Sequence, residues 1–249
     1  MANPKSRATI RMWQGFIVLL GTAVLAVATM AESSLTPHSA EYKVKISVLG
    51  GQLVTELKST QTGYVATHVI RPTGMSRMFA RGTISESSAF DTAPDGVRPT
   101  EYSSSDTISR DKTKVSIRFD WETGEARGTV NDEDLLSVMD TLAHDRVSIQ
   151  YELMHDLLNN EPSTEYTMFE IDRLRTVNVR NIGVRKVKVP AGEYEAVGIQ
   201  HQAEGSKRVT TLWCVEELDY LPVIIEQHRK GKLRVRAVLN KYTPAAGST

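Results

Sequence analysis

The sequence predicts a mainly β fold, a strongly curved antiparallel sheet shaped as a half-barrel around one central helix, and three observations carry that prediction. Apolar and polar residues alternate with a period of two in run after run; Val115, Ile117, Phe119 and Trp121, with Lys114, Ser116, Arg118 and Asp120 between them, are the clearest case. Turn-forming clusters such as Glu122-Thr123-Gly124 and Pro190-Ala191-Gly192 separate these runs. A single stretch, 131–160, lacks glycine and proline, and within it Val147, Tyr151, Met154 and Leu158 step by four, three and four, which places them on one helical face.

At the N-terminus, Lys5, Arg7 and Arg11 precede an uncharged run rich in Ile17, Val18, Leu19, Leu20, Val24 and Leu25, and small residues follow at Ala26, Ala28 and Ala31. A basic end, a short apolar middle and a small-residue exit make a secretory signal helix. The apolar run falls short of the ~20 residues that comfortably span a bilayer, so cleavage near Ala28 or Ala31 is expected and no stable membrane span is expected after it. The expected organisation is a signal peptide over 1–31, one β-rich periplasmic domain over 32–243 and a polar tail over 244–249.

Within the domain, Tyr42, Val44, Ile46 and Val48 predict a first strand, with Gly50-Gly51 as the hairpin turn after it. Strands follow through Leu53 to Leu57 and Tyr64 to Ile70. Phe90 to Tyr102, with Asp91, Pro94, Asp95-Gly96 and Pro99, reads as a connection between hairpins. The acidic run Asp132-Glu133-Asp134 reads as the decorated start of a helix. Asp145 is placed to cap the helix through Leu158, and Asn159-Asn160 with Pro162 ends it. Alternation then returns at Phe169, Val177, Val187, Tyr194, Val209, Val223 and Leu233, which brings the count to roughly a dozen strands.

Composition narrows the function classes. The chain of 249 residues balances 30 basic against 30 acidic side chains, and removing the first thirty-one residues takes three basic ones, leaving about −3. That balance gives no bulk attraction to nucleic acid, which is not expected as a partner. Cys214, the lone cysteine, can neither form an internal disulfide nor accept a lipoprotein's acyl chain, and between Trp213 and Val215 it reads as a buried small hydrophobe. The six histidines show no metal-ligand spacing, so no metal and no cofactor is expected. His144 and His155 read as part of a solvated helix surface. No familiar nucleophile elbow or phosphate-binding glycine loop is present, which disfavours an enzyme.

Val189-Pro190-Ala191-Gly192-Glu193-Tyr194-Glu195-Ala196, then Thr211-Leu212-Trp213, then Asp219-Tyr220-Leu221-Pro222-Val223 with Glu226 resemble the C-terminal signature of the exported bacterial domain-of-unknown-function family 3108. Gly96-Val97-Arg98-Pro99-Thr100-Glu101-Tyr102, Phe119-Asp120-Trp121 with Gly124, and Asp145-Arg146-Val147-Ser148 with Leu153 are similar to its earlier landmarks, in the same order. The resemblance implies a curved sheet in the style of the LolA and LolB lipoprotein carriers. It brings no catalytic residues.

The expected function is a periplasmic, non-enzymatic binding module that carries a lipid or acyl ligand or assists envelope assembly, its partner a lipid or an envelope protein. Phe119, Trp121, Tyr151, Met154, Phe169 and Trp213 are the expected ligand-lining residues. Met75, Met78 and Phe79 fit a short packed helix or a flap. Arg185, Lys186, Lys188, Lys232, Arg234 and Arg236 form an expected basic surface for anionic headgroups or an acidic partner. Two alternatives stand beside this reading, a hydrolase of envelope lipids or glycans and a structural assembly factor for outer-membrane components. A carrier needs an apolar cavity, a hydrolase needs reactive groups facing a cleft, and an assembly factor needs an exposed patch.

Overall fold

A computed structural model describes residues 35–93, 95–109, 112–170 and 173–245. The chain divides into two units between Ala31 and Glu32, and every described residue belongs to the second. The expected signal segment lies outside the described residues, as does the tail after Ala245.

Alternation dictates the architecture, because a strand with one greasy face must share that face with its neighbours. The first meander runs β1 (His38–Ile46), β2 (Leu49–Ser59), β3 (Tyr64–Pro72), β4 (Ile84–Ala93), β5 (Gly96–Asp106), β6 (Thr113–Asp120), β7 (Glu125–Val130) and β8 (Glu133–Val138). The second runs β9 (Ala143–His144), β10 (Glu165–Glu170), β11 (Arg173–Val189), β12 (Gly192–Ala203), β13 (Arg208–Val215), β14 (Leu221–Arg229) and β15 (Lys232–Pro244). The two meet at the antiparallel pair β1 and β15, giving one sheet of 15 strands from β8 at one edge to β9 at the other. It is not closed into a barrel. Only the short β9 pairs in parallel, with β10.

Strong curvature follows from contacts between strands that are remote in the sheet order. Phe119 of β6 meets Phe169 of β10 edge to face at 6.1 Å, although these strands lie near opposite ends of the order. The buried cluster lining the concave side draws Tyr42, Phe90, Val97, Ile117, Val187, Val223 and Leu239 from both meanders.

One helix, α1 (Ser148–Leu158), occupies this concavity against β4, β5 and β9. Tyr151 and Met154 join the main cluster, with the Tyr151 ring stacked on Phe90 at 5.3 Å. Ile149 and Leu153 join a second cluster with Val177, Val179, Ile199 and Leu212. The helix is therefore buried on two sides, and Tyr151 through Asp156 are all buried in sequence. The expected cap is present: Asp145 Oδ1 accepts from the Val147 and Ser148 amides at 2.8 and 2.9 Å, while Ser148 Oγ accepts from the Asp145 amide at 2.9 Å.

Several expected elements fall elsewhere. The first hairpin turns at Ser47-Val48, where Ser47 takes φ 55, and Gly50 and Gly51 lie inside β2 opposite Lys45 and Val44. A β-carbon on Gly51 would approach the Arg71 carbonyl oxygen at 3.2 Å, so close strand approach accounts for that glycine. Phe90 to Tyr102 is mostly strand, split between β4 and β5, with a bulge after Ala89 where Pro99 pairs opposite Phe90. Asp132-Glu133-Asp134 starts no helix. Asn131 and Asp132 take positive φ and turn the chain into β8, an edge strand whose Leu136 and Val138 are exposed. His144 and His155 are buried, not solvated, and His144 sits in β9.

Candidate functional site

Two places gather side chains that the core does not explain. The first is one rim of the sheet, where the β1–β2 turn, the β3–β4 connection and the β14–β15 turn come together. The Ser47 amide donates to the Arg234 carbonyl at 3.1 Å, the Thr73 amide to the Gly50 carbonyl at 3.0 Å, and the Gly50 amide to Ser76 Oγ at 2.7 Å. Ser76 belongs to the 3-10 helix Gly74–Met78, so its buried hydroxyl fastens that helix to the first hairpin.

The packed-helix expectation for Met75, Met78 and Phe79 is half right: the short helix exists, but those side chains are 76%, 72% and 76% exposed. Val48 on the adjoining turn is 89% exposed, and Ile46 and Leu233 are also exposed. The same segments carry Lys45, Arg77, Arg81, Lys230, Lys232 and Arg234, and 45–51, 71–83 and 229–236 contain no aspartate or glutamate. Large apolar side chains exposed together are costly in water and signal a contact surface.

The second place is a polar cleft of about 380 Å³ between α1, the start of β5, β9 and β10, lined in part by Gly96, His144, Glu152, His155, Asp156 and Tyr166. Glu152 Oε2 accepts the Val97 amide at 2.6 Å, and its Oε1 lies 3.7 Å from His144 Nε2. Asp156 Oδ2 accepts the Tyr166 hydroxyl at 2.5 Å, and its Oδ1 lies 3.7 Å from His155 Nδ1. Gly96, at φ 122, permits the approach, since a β-carbon there would fall 2.5 Å from Glu152 Oε1. Burial pushes Glu152 up to about 7, with the Val97 amide pulling it back, and holds His144 down near 4. One ligand atom from each of Glu152, His155 and Asp156 lies within 4.8 Å of the others, a grouping able to hold a metal ion.

Histidine spacing alone does not disclose the cleft. The available signal was Glu152-x-x-His155-Asp156, whose i, i+3, i+4 spacing puts all three on one helical face. His144 joins them only through the tertiary fold.

Of the expected ligand-lining residues, Phe119, Tyr151, Met154, Phe169 and Trp213 are buried among other side chains, and Trp121 is partly buried with its Nε1 donating to the Pro99 carbonyl at 2.7 Å. None of the six lines the polar cleft or a second cavity of about 470 Å³ on β3 to β7. The expected basic residues separate into two groups. Arg185, Lys186 and Lys188 lie on β11, where Arg185 covers the Trp213 ring at 3.6 Å and Lys188 pairs with Glu193. Lys232, Arg234 and Arg236 lie on β15 beside the apolar patch, with Arg236 3.3 Å from Glu226. Cys214 is buried, as expected.

The fold defines a class, that of β-barrel-like proteins built from one curled, unclosed sheet. A crystal structure of a beta-barrel-like protein of domain of unknown function DUF1849 from Brucella abortus is similar, with TM-score 0.59 and 14% identity over 86% of this chain and 100% of that one. The chain itself belongs to the family described as protein of unknown function DUF3108, whose model matches residues 39–235. No curated protein matches it.

Proposed function

We propose that this protein is an exported, non-enzymatic binding module of the cell envelope that docks on an anionic lipid surface through the rim at Val48, Met75, Met78 and Phe79. The observation that carries the reading is the exposure of these four side chains at the tips of tied turns, on three segments whose charged residues are all lysine or arginine. Apolar side chains at such a tip enter the headgroup boundary while the cations meet anionic headgroups. The acyl-carrier reading is less well supported, because the aromatic residues that would line its pocket pack on one another and the cleft beside α1 is polar. Docking on lipid also suits assistance to envelope assembly.

Flotation of the exported protein with vesicles of phosphatidylglycerol and phosphatidylcholine in equal parts, against phosphatidylcholine alone, tests this. Binding to the anionic vesicles alone is expected, weakening as salt shortens the screening length from about 10 Å at 0.1 M to about 3 Å at 1 M. Combined Met75→Ser, Met78→Ser and Phe79→Ser should abolish it, and Lys230→Gln with Lys232→Gln should weaken it by roughly tenfold or more. Equal flotation with both vesicles, or variants that float like the parent, would refute the reading. Flotation with neither, combined with salt-sensitive self-association through the same patch, would replace lipid by a second copy of the chain.

A further inference from the structure

We infer that Glu152, His155 and Asp156 form a binding site for a divalent transition-metal ion of zinc's borderline character, with His144 as a neighbouring fourth donor. The donor set comes first. Two carboxylates and one or two imidazoles are the oxygen and nitrogen ligands that zinc and its first-row neighbours take, whereas calcium and magnesium select oxygen alone.

Distances make the second argument. The His144–Glu152 and His155–Asp156 approaches are each 3.7 Å, too long for hydrogen bonds. Two ligands held about 2.0–2.2 Å from a common ion at near-tetrahedral angles stand roughly 3.3–3.6 Å apart, so the His155–Asp156 pair is close to ligand spacing, and the three donors, within 4.8 Å of one another, must draw in further to share one ion.

The outer contacts are of the kind that orient metal ligands. Each carboxylate has one oxygen fixed from behind, Glu152 Oε2 by the Val97 amide and Asp156 Oδ2 by the Tyr166 hydroxyl, and the other oxygen turned toward an imidazole. The fourth observation concerns the neighbouring imidazole. His144 is 1% exposed, its ring lines the cleft, and its Nδ1 is sealed from solvent with no hydrogen-bond partner among the described residues. Nε2, turned toward Glu152, is the nitrogen that would join an ion, and Nδ1 on the far side of the ring takes no part in ligation. The cleft supplies the entry path.

Isothermal titration of chelator-stripped, untagged protein with zinc chloride tests the inference, followed by cobalt substitution with the visible absorption of the cobalt read directly. One ion per chain, a visible band typical of low-coordinate cobalt and a raised unfolding temperature are expected. Glu152→Gln and His155→Ala should each weaken binding by about a hundredfold or more. Tyr166→Phe removes only the outer hydroxyl, keeps the ring that packs on His144 at 6.2 Å, and should weaken binding roughly tenfold to a hundredfold. Glu161→Gln, on the cleft wall outside the cluster, should leave affinity unchanged. A parent chain that takes up no stoichiometric zinc, or one whose affinity Tyr166→Phe and Glu152→Gln leave intact, overturns the site. Neither result bears on vesicle docking, which uses the β1–β2 turn, the β3–β4 connection and the β14–β15 turn and has its own readout.

Discussion

His68 and His201 are single residues whose environment the sequence concealed. Both sit in strands at positions where alternation leaves either face open, yet burial holds each imidazole near 4. His68 is half-buried, its Nε2 sealed against the Tyr151 ring, and it faces Glu86, His38 and Arg146. The unfolded chain protonates these rings near 6.5, whereas the folded chain resists until about 4. Between those values the unfolded state binds more protons, so this contribution is fully present above about pH 6.5 and is lost as pH falls toward 4. After allowance for partial exposure, His68 should account for about 2 kcal/mol. Burial raises Asp145 to about 6, and that carboxyl tilts stability the other way over the same range. The informative quantity is therefore the difference between the parent and His68→Gln in urea unfolding at pH 7 and pH 4.5. The parent should lose more stability than the variant on acidification; equal losses would show that His68 is protonated as freely in the fold as out of it. Cys214 was easier to read, because its apolar neighbours on both sides announce burial whichever face it takes.

At the scale of elements, legibility followed the uniqueness of the period. The step Val147, Tyr151, Met154, Leu158 fits only a helix, and α1 forms there. Leu135, Leu136 and Val138 fit either period, so the acidic run Asp132-Glu133-Asp134 before them reads as a helix start, whereas Asn131 and Asp132 at positive φ turn the chain into β8. The cap of α1 carries a prediction of its own. Asp145 accepts two amides and the Ser88 hydroxyl at 2.6 Å, tying the helix start to β4. Asp145→Ala leaves the Ser88 hydroxyl and both amides buried without partners, and should cost roughly 2–3 kcal/mol. Asp145→Asn keeps an accepting oxygen for the amides and should cost distinctly less. Urea midpoints in the order parent, Asp145→Asn, Asp145→Ala would support this account of the helix start, and coincident midpoints for the two variants would contradict it.

Over the whole sheet, the sequence discloses the class and most strands but neither the join between the two meanders nor the sites. Alternation is local; the pairing of β1 with β15 joins segments roughly two hundred positions apart, and nothing within either strand names the other. The polar cleft was hidden for the same reason, since β5, β9, α1 and β10 each supply part of it. The rim was half visible: Met75, Met78 and Phe79 were noticed for their spacing, but only the fold sets them beside Val48 and the cations of β15.

The β1–β15 seam should dominate the stability of the domain. Among the described residues it is the one hydrogen-bonded strand pair between two meanders that otherwise meet through the concave cluster, α1 and the approach of β5 to β9. Deleting 232–249 leaves β1 and β14 with facing rows of unpaired amides and carbonyls and strips Ala237 and Leu239 from the core. Losing Leu239 alone removes about 1.5–3 kcal/mol of burial, with about 0.8 kcal/mol more for the Ala237 methyl, before any lost ladder bond is considered, a large share of the 5–15 kcal/mol by which domains are stable. The truncated chain should therefore lose cooperative urea unfolding, bind a hydrophobic dye and self-associate through its open edges. A synthetic peptide of residues 232–244, added in excess, should restore a cooperative transition by taking the vacant place between β1 and β14. Retention of the parent's midpoint by the truncated chain would mean that side-chain packing across the concavity, rather than the seam, holds the two meanders together.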